Sequence, residues 1–126
     1  MIDPSDLLEE AKELGKTSHS REVRRRTAIS RAYYAAFHRA NEVAQREGYR
    51  FDKAERTGMH KHLFRFLERS ADIDVNTAVE ILEFLKDQRI NSDYRLRAEV
   101  PMHKVIEAIE QAEYLLTELL PPPEPA

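Results

Sequence analysis

The sequence has no cysteine, no tryptophan, only three glycines and six prolines, and no apolar run of membrane-spanning length. Without cysteine there is no disulfide framework, no thiolate nucleophile and no cysteine-ligated zinc or iron–sulfur cluster, as expected of a reducing compartment. A bilayer-crossing helix needs roughly 20 consecutive apolar residues, and the opening MIDPSDLLEEAKEL is acidic where a secretory signal would be basic. A soluble, cytoplasmic chain with no membrane partner is the expectation. No P-loop, GxGxxG, GxSxG or HExxH motif occurs, so nucleotide hydrolysis, dinucleotide redox chemistry, serine hydrolysis and zinc proteolysis have no support in the sequence.

What is present is helix-forming. The 126 residues are the length of one domain, and 41 % apolar residues suffice for a single core whose surroundings the 34 % charged residues must solvate. Hairpin turns of the Asn-Gly and Asp-Gly type are absent, and long breaker-free stretches are rich in Ala, Leu, Glu, Arg and Lys. An all-α, up-and-down bundle of about five helices is predicted over residues 1–120, with 121–126 as a Pro-rich flexible tail. Asp3 and Pro4 suit the start of a first helix that stops at Gly15. A second, about 40 Å long, is expected over residues 20–47 and is ended by Gly48. Met59, Leu63, Phe64 and Leu67 mark a third helix; Asp72 or Asp74 caps a fourth that runs at least to Arg89; Pro101 opens the last. Residues 91–100 stay ambiguous, and residues 49–56 are expected to be irregular.

The net charge of −3 conceals an uneven distribution. Lys16, Arg21, Arg24, Arg25, Arg26, Arg31 and Arg39 face a single acid, Glu22, giving a +6 block, whereas Glu107, Glu110, Glu113, Glu118 and Glu124 close the chain without a Lys or Arg after Lys104. Such a block suits a phosphate-bearing partner; it equally suits a solvated face paired with acidic helices.

A helical wheel places Ala28, Ile29, Ala32, Tyr33, Ala36, Phe37, Ala40, Val43 and Ala44 on one arc of the second helix, the core face. Arg24, Arg31, Tyr34 and His38 form a polar stripe opposite. A histidine beside two guanidiniums is expected to favour its neutral form and so to keep a nitrogen free for a proton, while arginines hold phosphate bidentately. The same stripe also reads, and more readily, as a subunit interface or the docking surface of another helix. In the fourth helix, Arg89 falls in line with Ala78, Leu82 and Leu85, where burial demands a partner; Asp93 at i+4 and the adjacent Tyr94 supply one. That arrangement reads either as a buried pair fixing a helix end or a dimer seam, or as an arginine aimed into a cleft. His60 and His62 are spaced for different helix faces without supporting carboxylates, so no metal site is predicted, and no cofactor is called for. His19 and His103 read as surface residues.

Through Ala28-Ile29-Ser30-Arg31-Ala32-Tyr33-Tyr34-Ala35-Ala36-Phe37-His38 and the later Leu85-x3-Arg89-x3-Asp93-Tyr94, the chain resembles the HEPN superfamily, in a small stand-alone branch. With the helix order, the likeness covers residues 6–120. It implies a helical bundle that forms a homodimer, with any active cleft at the dimer interface, and association with a minimal nucleotidyltransferase or a toxin–antitoxin pair. Many members are metal-independent endoribonucleases with an Arg-x4-6-His motif in the later helix. Here Arg89 has no His within six residues after it, whereas Arg31-x6-His38 has the spacing in the earlier helix. Two function classes follow. In the first the protein binds RNA or a nucleotide-bearing partner, and its enzymatic form uses His38 as general acid or base with Arg31 and Arg89 on phosphate. The second is a non-catalytic dimeric interaction module in which both motifs build the interface.

Overall fold

The computed structural model describes residues 1–16, 21–51 and 58–123. Among the described residues five α-helices follow one another: α1 (Pro4–Lys16), α2 (Glu22–Arg46), α3 (Met59–Glu68), α4 (Ile73–Tyr94) and α5 (Met102–Tyr114), the last running into a π-helical turn at Leu115–Leu119. No strand occurs among the described residues, so the all-α bundle expected from composition is what forms. None of these helices is long and apolar enough to cross a membrane.

Local chemistry accounts for most boundaries. Asp3 caps α1 reciprocally: its Oδ2 accepts the Ser5 N–H at 3.0 Å, and Asp6 Oδ2 accepts the Asp3 N–H at 2.8 Å. The helix does not stop at Gly15. It continues to Lys16, and a Cβ on Gly15 would lie 3.2 Å from Ile109 Cδ1, so this glycine marks where α1 closes on α5. At the end of α2, Gly48 adopts φ +96°, its N–H reaches Gln45 O at 3.1 Å, and Tyr49 N–H reaches Ala44 O at 3.0 Å. These two bonds make a Schellman cap, which needs a glycine for its left-handed residue. Asp72 Oδ1 accepts the Asp74 N–H at 2.8 Å and starts α4.

With 25 residues α2 is the longest helix, about 37 Å, and it packs against α1, α3, α4 and α5. Its predicted core arc is buried except for Val43, which is half-buried. Ile29 and Tyr33 meet Leu63 of α3, Leu82 and Leu85 of α4, and Val105 and Leu115 near the C-terminus in one core. Burying side chains of this size is worth about 1.5–3 kcal/mol each. The expected start of α2 at Ser20 lies outside the described residues, as do His19 and residues 52–57 and 124–126; Tyr49 is buried and Phe51 half-buried.

Two interior arginines tie the helix ends together, and this revises the +6 block. Arg26 Nη1 donates to the carbonyls of Asn91, Ser92 and Arg95 at 3.1, 2.9 and 3.2 Å, and Nη2 to those of Leu96 and Ala98. It thereby satisfies the open carbonyls at the end of α4 and lets the helix reach Tyr94, settling the ambiguous stretch. Arg39, 2 % exposed, donates Nη1 to Leu116 O at 2.8 Å and Leu120 O at 3.0 Å across the π-helical turn. Arg25 Nε donates to Val100 O at 2.8 Å. Three of the seven cations thus serve the chain's own backbone, and Lys16 pairs with Glu13 at 3.3 Å. The bases of the block left facing solvent without an ion pair among the described residues are Arg21, Arg24 and Arg31.

Candidate functional site

On its outward face α2 presents Arg31 and His38, both exposed, with Tyr34 half-buried between them. A groove of about 970 Å³ runs along this stripe beneath the start of α1 and is lined by Arg31, Tyr34, His38, Asp3, Asp6 and Glu42, among others. Its carboxylates offset its cations, so this side of Tyr34 is electrostatically mixed. Arg24 is exposed farther along the helix and does not line the groove.

The other side of Tyr34 belongs to Arg89. One turn before the end of α4, this side chain is 10 % exposed and its guanidinium lies 5.4, 5.5 and 5.8 Å from the ring centroids of Tyr33, Tyr34 and Tyr94. Three aromatic faces stabilise the cation through their quadrupoles where water is excluded. Asp93 Oδ2 accepts from Nη1 at 3.3 Å and from Ser30 Oγ at 3.4 Å. Arg89 Nε is buried without a hydrogen-bond partner among the described residues. Burial opposes the charge, but the Tyr94 hydroxyl, Tyr34 and Asp93 outweigh it, and the guanidinium pKa moves up. Arg89 therefore stays cationic.

A residue that sequence reasoning assigned to no site completes the cluster. His60, in the first turn of α3, packs on Phe37 at 4.5 Å between centroids, stacks on Tyr33 at 5.4 Å and meets Tyr34 at 6.1 Å, while its Nδ1 and the Tyr33 hydroxyl share a hydrogen bond. Burial, then Arg89, Lys86 and His38, push its pKa down to about 4. Its neighbour in sequence, His62, packs instead on Phe51 at 5.6 Å, in keeping with the different faces read from their spacing. The signal for His60 was available: it precedes Leu63, Phe64 and Leu67 by three, four and seven residues, the stripe of α3 that is buried. His38 joins the same cluster from outside, 6.1 Å from Tyr34 and 5.4 Å from Phe37.

The structure thus gathers Arg89, Asp93, Tyr94, Tyr34 and His38 of the predicted residues, adding Tyr33, Ser30, His60 and Lys86. Arg31 shares only the groove with Tyr34 and His38 and makes no hydrogen bond or ion pair among the described residues, and Arg24 stands apart. No group of three or more His, Asp or Glu side chains among the described residues could hold a metal ion. Chemically the cluster offers a fixed guanidinium, a neutral imidazole and an exposed imidazole around half-open aromatic rings. Comparison with protein-family models, curated proteins and solved structures finds no match for the chain.

Proposed function

We propose that the chain is a HEPN-type helical protein, a toxin–antitoxin or nucleotidyltransferase-associated component, that binds RNA at the Arg89 face. The observation that carries this reading is the Arg89 guanidinium itself, held by three tyrosine rings with one partly exposed carboxylate as counter-charge, while the exposed His38 meets one of those rings, Tyr34. A phosphate oxygen can compete with Asp93 for such a donor, and Tyr34 and Tyr94 present ring surface on which an unpaired base can stack. In its enzymatic form the protein is a metal-independent endoribonuclease in which His38 carries the proton and Arg89, with Arg31, stabilises the phosphate. The test is incubation with total RNA in EDTA beside His38→Ala and Arg89→Ala. Specific cleavage lost in both variants supports the nuclease. Binding lost in Arg89→Ala without any cleavage supports an RNA-binding protein only, and traces and affinities identical to the wild type remove both.

A second reading, the non-catalytic homodimeric module, draws on Val23, Tyr94 and Leu96, which are 72, 71 and 75 % exposed. Large apolar side chains left this open suit a protein surface as partner. Light scattering beside the RNA assay decides: a dimer that neither binds nor cleaves RNA and is disrupted by Tyr94→Lys together with Leu96→Lys supports it, and a monomer at micromolar concentration sets it aside.

A further inference from the structure

His60 has a role that its spacing from other histidines did not suggest. Tyr33 is 0 % exposed, and its hydroxyl has one hydrogen-bond partner among the described residues, His60 Nδ1. Burial raises the phenol's pKa, so it keeps its proton, and that nitrogen is the acceptor within reach. With the phenol donating, the imidazole carries its hydrogen on Nε2. This second N–H makes no hydrogen bond to a described residue, and His60 as a whole is only half-buried. Packing against Tyr33, Phe37 and Tyr34 holds the ring in place.

The surroundings favour an anion. Arg89 lies 5.4 and 5.5 Å from the centroids of the Tyr33 and Tyr34 rings that His60 also packs on, and Arg89 and Lys86 of α4 and His38 of α2 act on the imidazole electrostatically. The carboxylate of the cluster, Asp93, is bound to Arg89 and Ser30. His60 also sits in the first turn of α3, whose N-cap Gly58 supplies no side-chain cap and whose first turn carries no acid, so the positive end of the helix dipole lies at the same place.

We propose that His60 is an anion-contacting residue of the Arg89 site, donating its Nε2–H to a phosphate oxygen while Arg89 and Lys86 supply the charge. A neutral imidazole with its hydrogen on Nε2 provides direction without adding a further cation to a crowded cluster. The inference rests on the RNA reading for the identity of the whole ligand, but its content concerns the phosphate group.

Long-range 1H–15N NMR of the wild-type imidazoles tests it, with titration first by inorganic phosphate and then by a short single-stranded RNA. Expected are the Nε2–H pattern for His60 in the free protein and a saturable Nε2 shift with both ligands. His60→Gln, which keeps an N–H near the Nε2 position, should stay within about threefold of wild-type affinity, and His60→Phe, which keeps the ring but no donor, should lose about tenfold. Thermal melts establish that the variants fold; should His60→Phe not fold, the wild-type shift and His60→Gln still decide. An Nδ1–H tautomer overturns the proposal. RNA binding with an unmoved His60 overturns it and leaves the RNA reading standing. A shift with phosphate but no binding of RNA sustains it and removes the RNA reading; no shift with either ligand overturns it.

Discussion

Arg26 of α2 reaches the carbonyl of Ser92 at 2.9 Å, across 66 residues of sequence, and through it holds the last turn of α4. That turn carries Asp93 and Tyr94, so a side chain outside the candidate site sets where two of its members stand.

Arg26→Met should therefore cost about 3 kcal/mol, because several carbonyls lose a charged donor in a place that water reaches poorly. Urea denaturation measures the loss. Amide hydrogen exchange should localise it, with faster exchange at residues 92–95 than in α1. A variant as stable as the wild type, with unchanged exchange there, would show that the carbonyls are served in another way.

Gly48 and Gly15 should respond in opposite ways to alanine. At Gly48, φ is +96° and no described residue lies within 4 Å of an added Cβ, so Gly48→Ala is expected to cost conformational energy, about 1–2 kcal/mol. At Gly15 the helix gains roughly the same propensity that glycine withholds, about 1 kcal/mol, against a contact with the movable Ile109 methyl. Gly15→Ala is expected to leave the thermal midpoint unchanged or raised, and Gly48→Ala to lower it. The reverse order would contradict both assignments.

His60 makes stability depend on pH. Its folded pKa of about 4 lies below the ordinary imidazole value of 6.5, so from pH 6.5 down to 4 the unfolded chain takes up a proton that the folded chain refuses. Stability is then complete above pH 6.5 and falls as the pH drops toward 4, by about 1–2 kcal/mol once solvent screening of a half-buried ring is allowed for. Denaturation midpoints at pH 7, 5.5 and 4.5 measure the slope. His60→Phe should flatten it, and a wild type with no slope in this window would contradict the environment described for the ring.

The sequence made Arg89 legible because helical periodicity alone puts it in line with Leu82 and Leu85, and a cation on that line requires Asp93. The same periodicity held the clue to His60, which was weighed only by its distance from other metal ligands. Arg26 and Arg39 are different. Arg26 lies three and seven residues before Ile29 and Tyr33, and Arg39 shares a stripe with Ala28, Ala32 and Ala35, so their burial was readable from the wheel. Their partners were not: carbonyls 65 to 81 residues away are defined by how α4 and α5 cross α2. Counting charge along the chain therefore overstated the basic surface, since it cannot tell a guanidinium facing water from one capping a helix.

That correction sets the salt dependence of RNA binding. If Arg21, Arg24 and Arg31, the bases of the block left facing solvent, each meet one phosphate, they should make log K fall against log salt with a slope of about −2. All seven cations of the block facing solvent would give about −5. Fluorescence anisotropy at several salt concentrations separates the two, and the steeper slope would mean that Arg25, Arg26 and Arg39 leave their carbonyls on binding.

Asp93 should act as a brake on the same surface. Its side chain is 31 % exposed and neutralises Arg89 at 3.3 Å, yet three tyrosine rings hold the guanidinium independently. Asp93→Asn keeps an oxygen for Arg89 and Ser30 but removes the negative charge that a phosphate must displace. Stability should fall by no more than about 1 kcal/mol, as for a partly solvated pair, and RNA affinity should rise about fivefold at low salt. Asp87→Asn is the control: it removes the same charge from an exposed position of α4, and its effect on affinity should be under about twofold. Equal gains in the two variants would mean that RNA responds to net charge alone and that Arg89 is not where the phosphate binds. Weaker binding in Asp93→Asn would mean that Asp93 orients Arg89 for the ligand instead of competing with it.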